Sequence, residues 1–271
     1  GNGTARRLLP FRRHRMVGPF IFVDRMGPAT VGPGARLDID AHPHIGLSTV
    51  TYLFDGRMVH RDSTGAVATI EPGDVNWMTA GGAVCHTERS HPDDDDRAEG
   101  HDGLQTWVAL PTETESGAAG FERAAAGDLP EVTLGDSRIR VLAGTGWGVS
   151  SPIPGSSPLV YADVTLGDTP VPLDTTVAEV AVAPIDGDVH VGATRVPAGT
   201  MAVLAAGRTD TLIGQGRVMV LGGDPVGPRH IWWNFVHSDR DAIEAAREDW
   251  AAQRFPLVPD DHDPWIPAPT S

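Results

Sequence analysis

Residues 40–52 read DAHPHIGLSTVTY, and the fold turns on how this stretch is placed. After Leu47 the run Thr, Val, Thr, Tyr alternates as a strand does, with side chains i and i+2 on one face. On that parity His42 and His44 lean toward a single point, and a paired imidazole surface suits a metal ion. Pro43 faces the other way. It has no N–H to give to a ladder, which predicts a bulge or a sheet edge at this position.

Working outward, the same texture recurs. PFIFVDRMGP (19–28) reads as a strand closed by a Gly-Pro turn, and LSTVTYLF, Asp55-Gly56 and RMVHRDS read together as a hairpin. AVATI, the turn at Pro72-Gly73-Asp74, VNWM, AVCHTE and LQTWVAL follow at similar spacing. A second series, with IRVLAG, LVYADVTL, VAEVAVAPIDG and RVMVLGG, begins near Asp128. Short strands this regularly punctuated by 32 Gly and 23 Pro predict an all-β chain built as sandwiches or barrels rather than βαβ units. The length of 271 residues allows two domains, expected at 1–127 and 128–271, with Pro111 to Gly127 as the connector. One helix is expected near the end. Ser238 would cap it, AIEAAREDWAAQRF would form it, Pro256 would stop it, and Ile243, Ala246 and Trp250 would line its buried face.

Composition narrows the function. A formal net charge of −15 disfavours direct binding to a phosphate backbone. The acidic run Asp93 to Asp96 reads as a solvated loop, since contiguous acids lack the alternating spacing of a calcium loop. Cys85, the one cysteine, excludes an internal disulfide and any thiolate-rich metal site. The N-terminal arginines are not followed by an apolar stretch of signal-peptide length, and no run is long enough to span a membrane. A cytoplasmic protein without membrane contact is expected.

The second chemical signal is HTE, with His86 and Glu88 at the same i, i+2 spacing as His42 and His44. A buried histidine by itself is more often bonded to backbone than to a metal, but two pairs at matched spacing argue for a site. Were the two segments on neighbouring strands, three nitrogens and one carboxylate oxygen would converge, and parity would send Cys85 to the opposite face. Such a donor set suits iron, manganese, cobalt, nickel or copper, with zinc also compatible. His60, His91, His101, His190, His230, His237 and His262 show no such pairing and read as ordinary polar positions. Phe20, Phe22, Leu53, Trp77 and Met78 read mainly as core, with a ring-sized pocket as the sharper alternative.

MVGPFIFVDRMGP, HPHIGLSTVTYLFDG, HRDSTG, PGDVNWMTAGGAVCHTE, IWWNFV and REDWAAQRFP together resemble the pirins, a branch of the cupin superfamily. The resemblance implies a bicupin, two stacked β-barrel or jelly-roll domains with a C-terminal helix, and a single metal held in the N-terminal one by His42, His44, His86 and Glu88. It implies Fe(II) as the metal, with other divalent ions accepted. Many pirins read HPHRGFETV where this chain carries Ile45, Leu47 and Ser48, so Glu88 is the carboxylate these motifs offer. Bacterial pirins are similar to quercetin 2,3-dioxygenases, which open a flavonol ring with O2 and release carbon monoxide. That implies a small aromatic, flavonol-like substrate and Glu88 as general base. The family also includes redox- or metal-responsive regulatory proteins that bind protein partners, which is the alternative expectation.

Overall fold

The computed structural model describes residues 5–94, 98–205 and 210–270. Strands dominate, as the alternation predicts, and the chain divides into two compact units. One contains residues 24–123 and the segment from 227 onward; the other contains 6–23 and 124–226. The units are therefore not the simple halves 1–127 and 128–271. The C-terminal helix is grouped with the first unit, and residues 6–23 with the second.

Strand β1 (Ala5–Leu9) precedes β2 (Phe20–Val31), which runs on into the first unit. The strands β3 (Ile39–His44), β4 (Leu47–Asp55), β5 (Met58–Asp62), β6 (Val67–Ile70), β7 (Val75–Thr79), β8 (Val84–Ser90), β9 (Glu99–Ala109) and β10 (Gly120–Ala124) follow. They form two sheets. One contains the order β2-β9-β4-β7-β10, the other the order β3-β8-β5-β6. The chain passes repeatedly from one sheet to the other, so the hairpin expected across Asp55-Gly56 does not form. The turn is there, but β4 pairs with β7 and β9 while β5 pairs with β6 and β8. Burial explains this: Leu47 to Leu53 are buried on both faces, so β4 takes a central position with a partner on each side. At the turn, Gly56 has φ +81°, and a Cβ there would stand 2.1 Å from the carbonyl oxygen of Gly100.

The expected connector is also structured. Gly120–Ala124 is the edge strand β10, and Glu115 is buried, with Arg229 Nε 3.2 Å from its Oε2 and the backbone N–H of Ser238 donating to the same oxygen at 3.0 Å. Ser238 is thereby engaged by Glu115, and the helix cap passes to Asp239, whose carboxylate accepts from the N–H of Asp241 at 2.9 Å. Helix α1 (Arg240–Ala251) stops before Pro256. Its face Ile243, Ala246 and Trp250 packs with Phe235, Phe255 and Val258 against Ala41, Ile45 and Cys85, covering the outer side of the β3–β8 pair. The acidic run is not simply solvated. Pro92–Asp94 makes a 3₁₀ turn in which Asp94 is buried and accepts from Arg57 Nη2 at 2.7 Å, while Asp95 and Asp96 lie outside the described residues.

In the second unit, a sheet led by Glu131–Leu134, Ser137–Gly146, Leu159–Leu166, Gly216–Gly223 and Glu179–Pro184 accompanies a four-stranded sheet. Its interior is aliphatic, with Ile139, Val141, Val160, Val164, Val182, Val218 and Val220 in one cluster. Phe20 meets Tyr161 edge-on here, and the Arg7 guanidinium lies over the Phe22 ring, so neither phenylalanine belongs to a pocket beside the histidines.

Candidate metal centre

The edge strand β3 lies antiparallel to β8 in a register that sets His42 opposite His86, Pro43 opposite Cys85 and His44 opposite Val84. A shift in the pairing falls between Ile39 and His42, so the proline sits both on an edge strand and beside a bulge. Parity does the sorting. Pro43 and Cys85 point out toward α1, and His42, His44 and His86 point in.

Among the described residues, His42, His44 and His86 form the one group of three or more potential ligands whose ligand atoms all lie within 4.8 Å of one another. Their ring centroids are 4.2 to 5.2 Å apart. The nitrogens are already differentiated. Nδ1 of His42 donates to the carbonyl of Asp40 at 2.8 Å, which leaves Nε2 with a lone pair. The His44 ring is bonded to the backbone of Asn234, and its Nδ1 is buried without a partner. Nε2 of His86 is likewise buried and unpartnered. Orphaned buried nitrogens are costly unless something pairs with them, and a cation bound by neutral imidazoles satisfies that requirement. The residues fit a metal.

Electrostatics agrees with this. Burial, reinforced by the neighbouring imidazoles, holds His44 and His86 well below the usual histidine range, and burial brings His42 down to about 4. All three are neutral at physiological pH, which is the form that ligates. Burial drives the Cys85 thiol the other way, up to about 12, so it is inert as well as misdirected.

Glu88, on the same face as His86, lies outside the 4.8 Å group. It is 3% exposed and its pKa is raised by burial. Its Oε1 is 3.3 Å from the Thr51 hydroxyl, which is also 3.0 Å from Oε1 of Gln105. The Thr51 hydroxyl donates to the Glu88 carboxylate and stands between it and Gln105, so the carboxyl is held by a hydroxyl donor in an otherwise buried setting. Asn76, opposite Thr51 in the sheet, is buried with both amide atoms unpartnered. Trp107 meets the His44 ring edge-on at 5.2 Å. Thus β4, β7 and β9 supply a polar wall facing the imidazoles, while Leu53 packs with Met58 and Ile70, and Met78 with Ala80 and Val84, as core.

Two contributors escaped the sequence reading. His60 and Asp62 are buried on β5 against the cluster, where Nδ1 of His60 lies 3.4 Å from Nδ1 of His86 and Nε2 lies 3.0 Å from the Asp62 carboxylate. The i, i+2 spacing within MVHRDS carried the signal, but without the β5–β8 pairing nothing tied it to HTE. The other is the segment around Asn234, which the sequence offers only within the IWWNFV motif.

Residues 3–108 match the Pirin family model, and residues 161–256 match the model of the Pirin C-terminal cupin domain. A protein of Caulobacter vibrioides described as a pirin-like protein is 45% identical over 278 residues, covering 99% of this chain and 95% of its own. The chain belongs to the pirin family. A crystal structure of quercetin 2,3-dioxygenase from Acinetobacter baumannii superposes with a TM-score of 0.90 at 35% identity, covering 98% of this chain and 89% of that one. A second structure of that description from the same organism gives 0.84 at 28% identity, over 91% and 88%. The architecture is the all-β bicupin, and the imidazole cluster belongs to the unit that contains most of the N-terminal pirin match.

Proposed function

We propose that the protein is a mononuclear metal-dependent dioxygenase of the quercetin 2,3-dioxygenase type, acting on flavonols in the cytoplasm. His42, His44 and His86 hold one divalent ion, Fe(II) first, with Glu88 completing the set or standing beside it as the base. The observation that carries this reading is the convergence of three neutral, buried imidazoles, two with unpartnered nitrogens, beside a carboxyl of raised pKa. The likeness to proteins described as quercetin 2,3-dioxygenases supports the substrate class.

When bound, the ion supplies Lewis acidity, which lowers the pKa of a hydroxyl brought against it. The chain's own residues do the rest. Glu88, made more basic by burial, takes the proton of the flavonol 3-hydroxyl. Thr51 and Gln105 hold the carboxyl in place. The resulting enolate reacts with O2, both oxygen atoms enter the product, and the ring opens with release of carbon monoxide. The edge-on Trp107 and the wall of β4, β7 and β9 keep bulk water from the anion.

The test is flavonol turnover under air by the chain loaded in turn with Fe(II), Mn(II), Co(II), Ni(II) and Cu(II). The loaded wild type is expected to bleach the flavonol band and consume O2, and His42→Ala to do neither. Equal behaviour of the two proteins removes the assignment to this site.

A further inference from the structure

Against His86 on β5, with Nδ1 of His60 3.4 Å from Nδ1 of His86, stands a hydrogen-bonded pair that takes no part in the proposed reaction. We infer that Asp62 and His60 act as positioning residues that fix the tautomer of His86, keeping its proton on Nδ1 and its Nε2 lone pair aimed at His42 and His44. The role of that lone pair rests on the reading that these three rings hold a metal; the tautomer itself does not.

The argument starts from Asp62, which is fully buried. Its Oδ1 accepts from the Thr64 N–H at 2.8 Å, the Thr64 hydroxyl at 2.6 Å and the Ala66 N–H at 3.3 Å. Its Oδ2 faces Nε2 of His60 at 3.0 Å. A carboxylate surrounded by donors on one oxygen is an acceptor on the other, so Nε2 of His60 carries a proton. The His60 ring lies stacked on Phe121 at 4.7 Å with 19° between planes, which fixes its plane, and the Asp62 contact fixes which edge faces the carboxylate. Its remaining nitrogen, Nδ1, then presents a lone pair to Nδ1 of His86 at 3.4 Å. Two lone pairs at that separation repel. The contact is favourable when His86 brings the proton, which leaves Nε2 of His86 free of one, and Nε2 is the atom left buried without a partner.

The register makes this possible. Pairing of β5 with β8 sets Asp62 opposite His86 and His60 opposite Glu88, so the carboxylate, the intermediate ring and the ligand ring follow one face of adjacent strands. His42 reaches the same state by a shorter route, its Nδ1 proton held by the Asp40 carbonyl. A carboxylate or carbonyl behind a ligating histidine fixes ring orientation and raises donor strength, and its loss lowers metal affinity by about 10- to 100-fold.

The decisive substitution is Asp62→Asn. The amide oxygen can keep the bonds to Thr64 and Ala66 while the NH2 group turns a donor toward Nε2 of His60. Both rings then reverse, and the His86 proton moves to Nε2. Nitrogen-15 histidine correlation spectra of the metal-stripped full chain near neutral pH read the tautomers directly. The wild type is expected to show His60 protonated on Nε2 and His86 on Nδ1, and Asp62→Asn the opposite. Competition of Co(II) binding against a chelator is expected to show the variant weaker by about 10- to 100-fold. A wild-type His86 protonated on Nε2 overturns the inference, and so does an Asp62→Asn protein with unchanged tautomers. If the variant does not fold, the wild-type spectrum alone decides. Expected tautomers in a wild type that binds no divalent ion would support the pairing and sink the metal reading, so the two fail separately.

Discussion

Removing the metal and lowering the pH should expose how much the fold invests in three neutral imidazoles. Each has its pKa lowered by burial in the folded chain, His42 to about 4, and His44 and His86 well below the usual histidine range. Unfolded, each titrates near 6.5. Below about pH 6.5 the unfolded chain therefore takes up protons that the folded chain refuses, and stability falls with pH until the folded values are reached. At about pH 5.5 the cost per ring is RT ln(1 + 10), about 1.4 kcal/mol, and it hardly depends on how far below about 4.5 the folded pKa lies. Three rings give about 4 kcal/mol, a large share of the roughly 5–15 kcal/mol that stabilises a typical domain. Glu88 acts in the opposite sense. Its raised pKa means the folded chain binds that proton first, so its contribution grows as pH falls through the folded value. The cleanest measurement therefore uses metal-stripped Glu88→Gln, unfolded by urea at a series of pH values between about 7.5 and 5.5. The expected result is a loss of at least about 4 kcal/mol across that range, to which His101, also lowered by burial, adds in the same sense, with a smaller loss in the wild type. Paired carboxylates such as Asp62 and Asp261 do not interfere. Burial raises each of them, but bonds from His60 and Thr64 to the first, and from Arg89 and Thr87 to the second, outweigh it and hold both below the usual range. Their contribution is lost only in more acid solution. A Glu88→Gln stability that stays flat over the range would refute the reasoning, because it would mean the imidazoles are solvated and the site is open.

Gly46 has φ +69°, and a Cβ there would stand 1.8 Å from the carbonyl oxygen of Val236, so Gly46→Ala is expected to cost upwards of about 2 kcal/mol in urea unfolding. Gly65→Ala, also at positive φ but with open space around it, should cost about 1 kcal/mol, which separates backbone strain from collision. Trp250→Ala empties the contact between α1 and the outer face of β3 and β8. It should lose about 3–5 kcal/mol and loosen metal binding in step, read by thermal unfolding with and without Ni(II). Cys85, buried with its pKa pushed up to about 12, should react with a thiol reagent only at the rate of unfolding. Rapid labelling of the native chain would contradict its outward, covered position.

Short strands punctuated by turn residues were enough to choose all-β, and the period of two in the HPH and HTE stretches to put His42, His44 and His86 on inward faces and to turn Pro43 and Cys85 outward. Strand parity is a local property, and the side-chain vectors follow from the backbone alone. Local chemistry also gave the turn at Asp55-Gly56 and the buried face of α1. The partner of each strand was not legible, because pairing is decided by which faces must be covered, and that depends on residues far along the chain. So the Asp55-Gly56 turn joins two sheets rather than two hairpin strands, α1 groups with the unit that carries the imidazoles, and Ser238 gives the cap to Asp239 once Glu115 has engaged it. His60 and Asp62 share this origin. Their spacing was visible in the sequence, but only the alignment of β5 with β8 brings them against His86, where a buried carboxylate can determine which nitrogen of a distant ring keeps its proton.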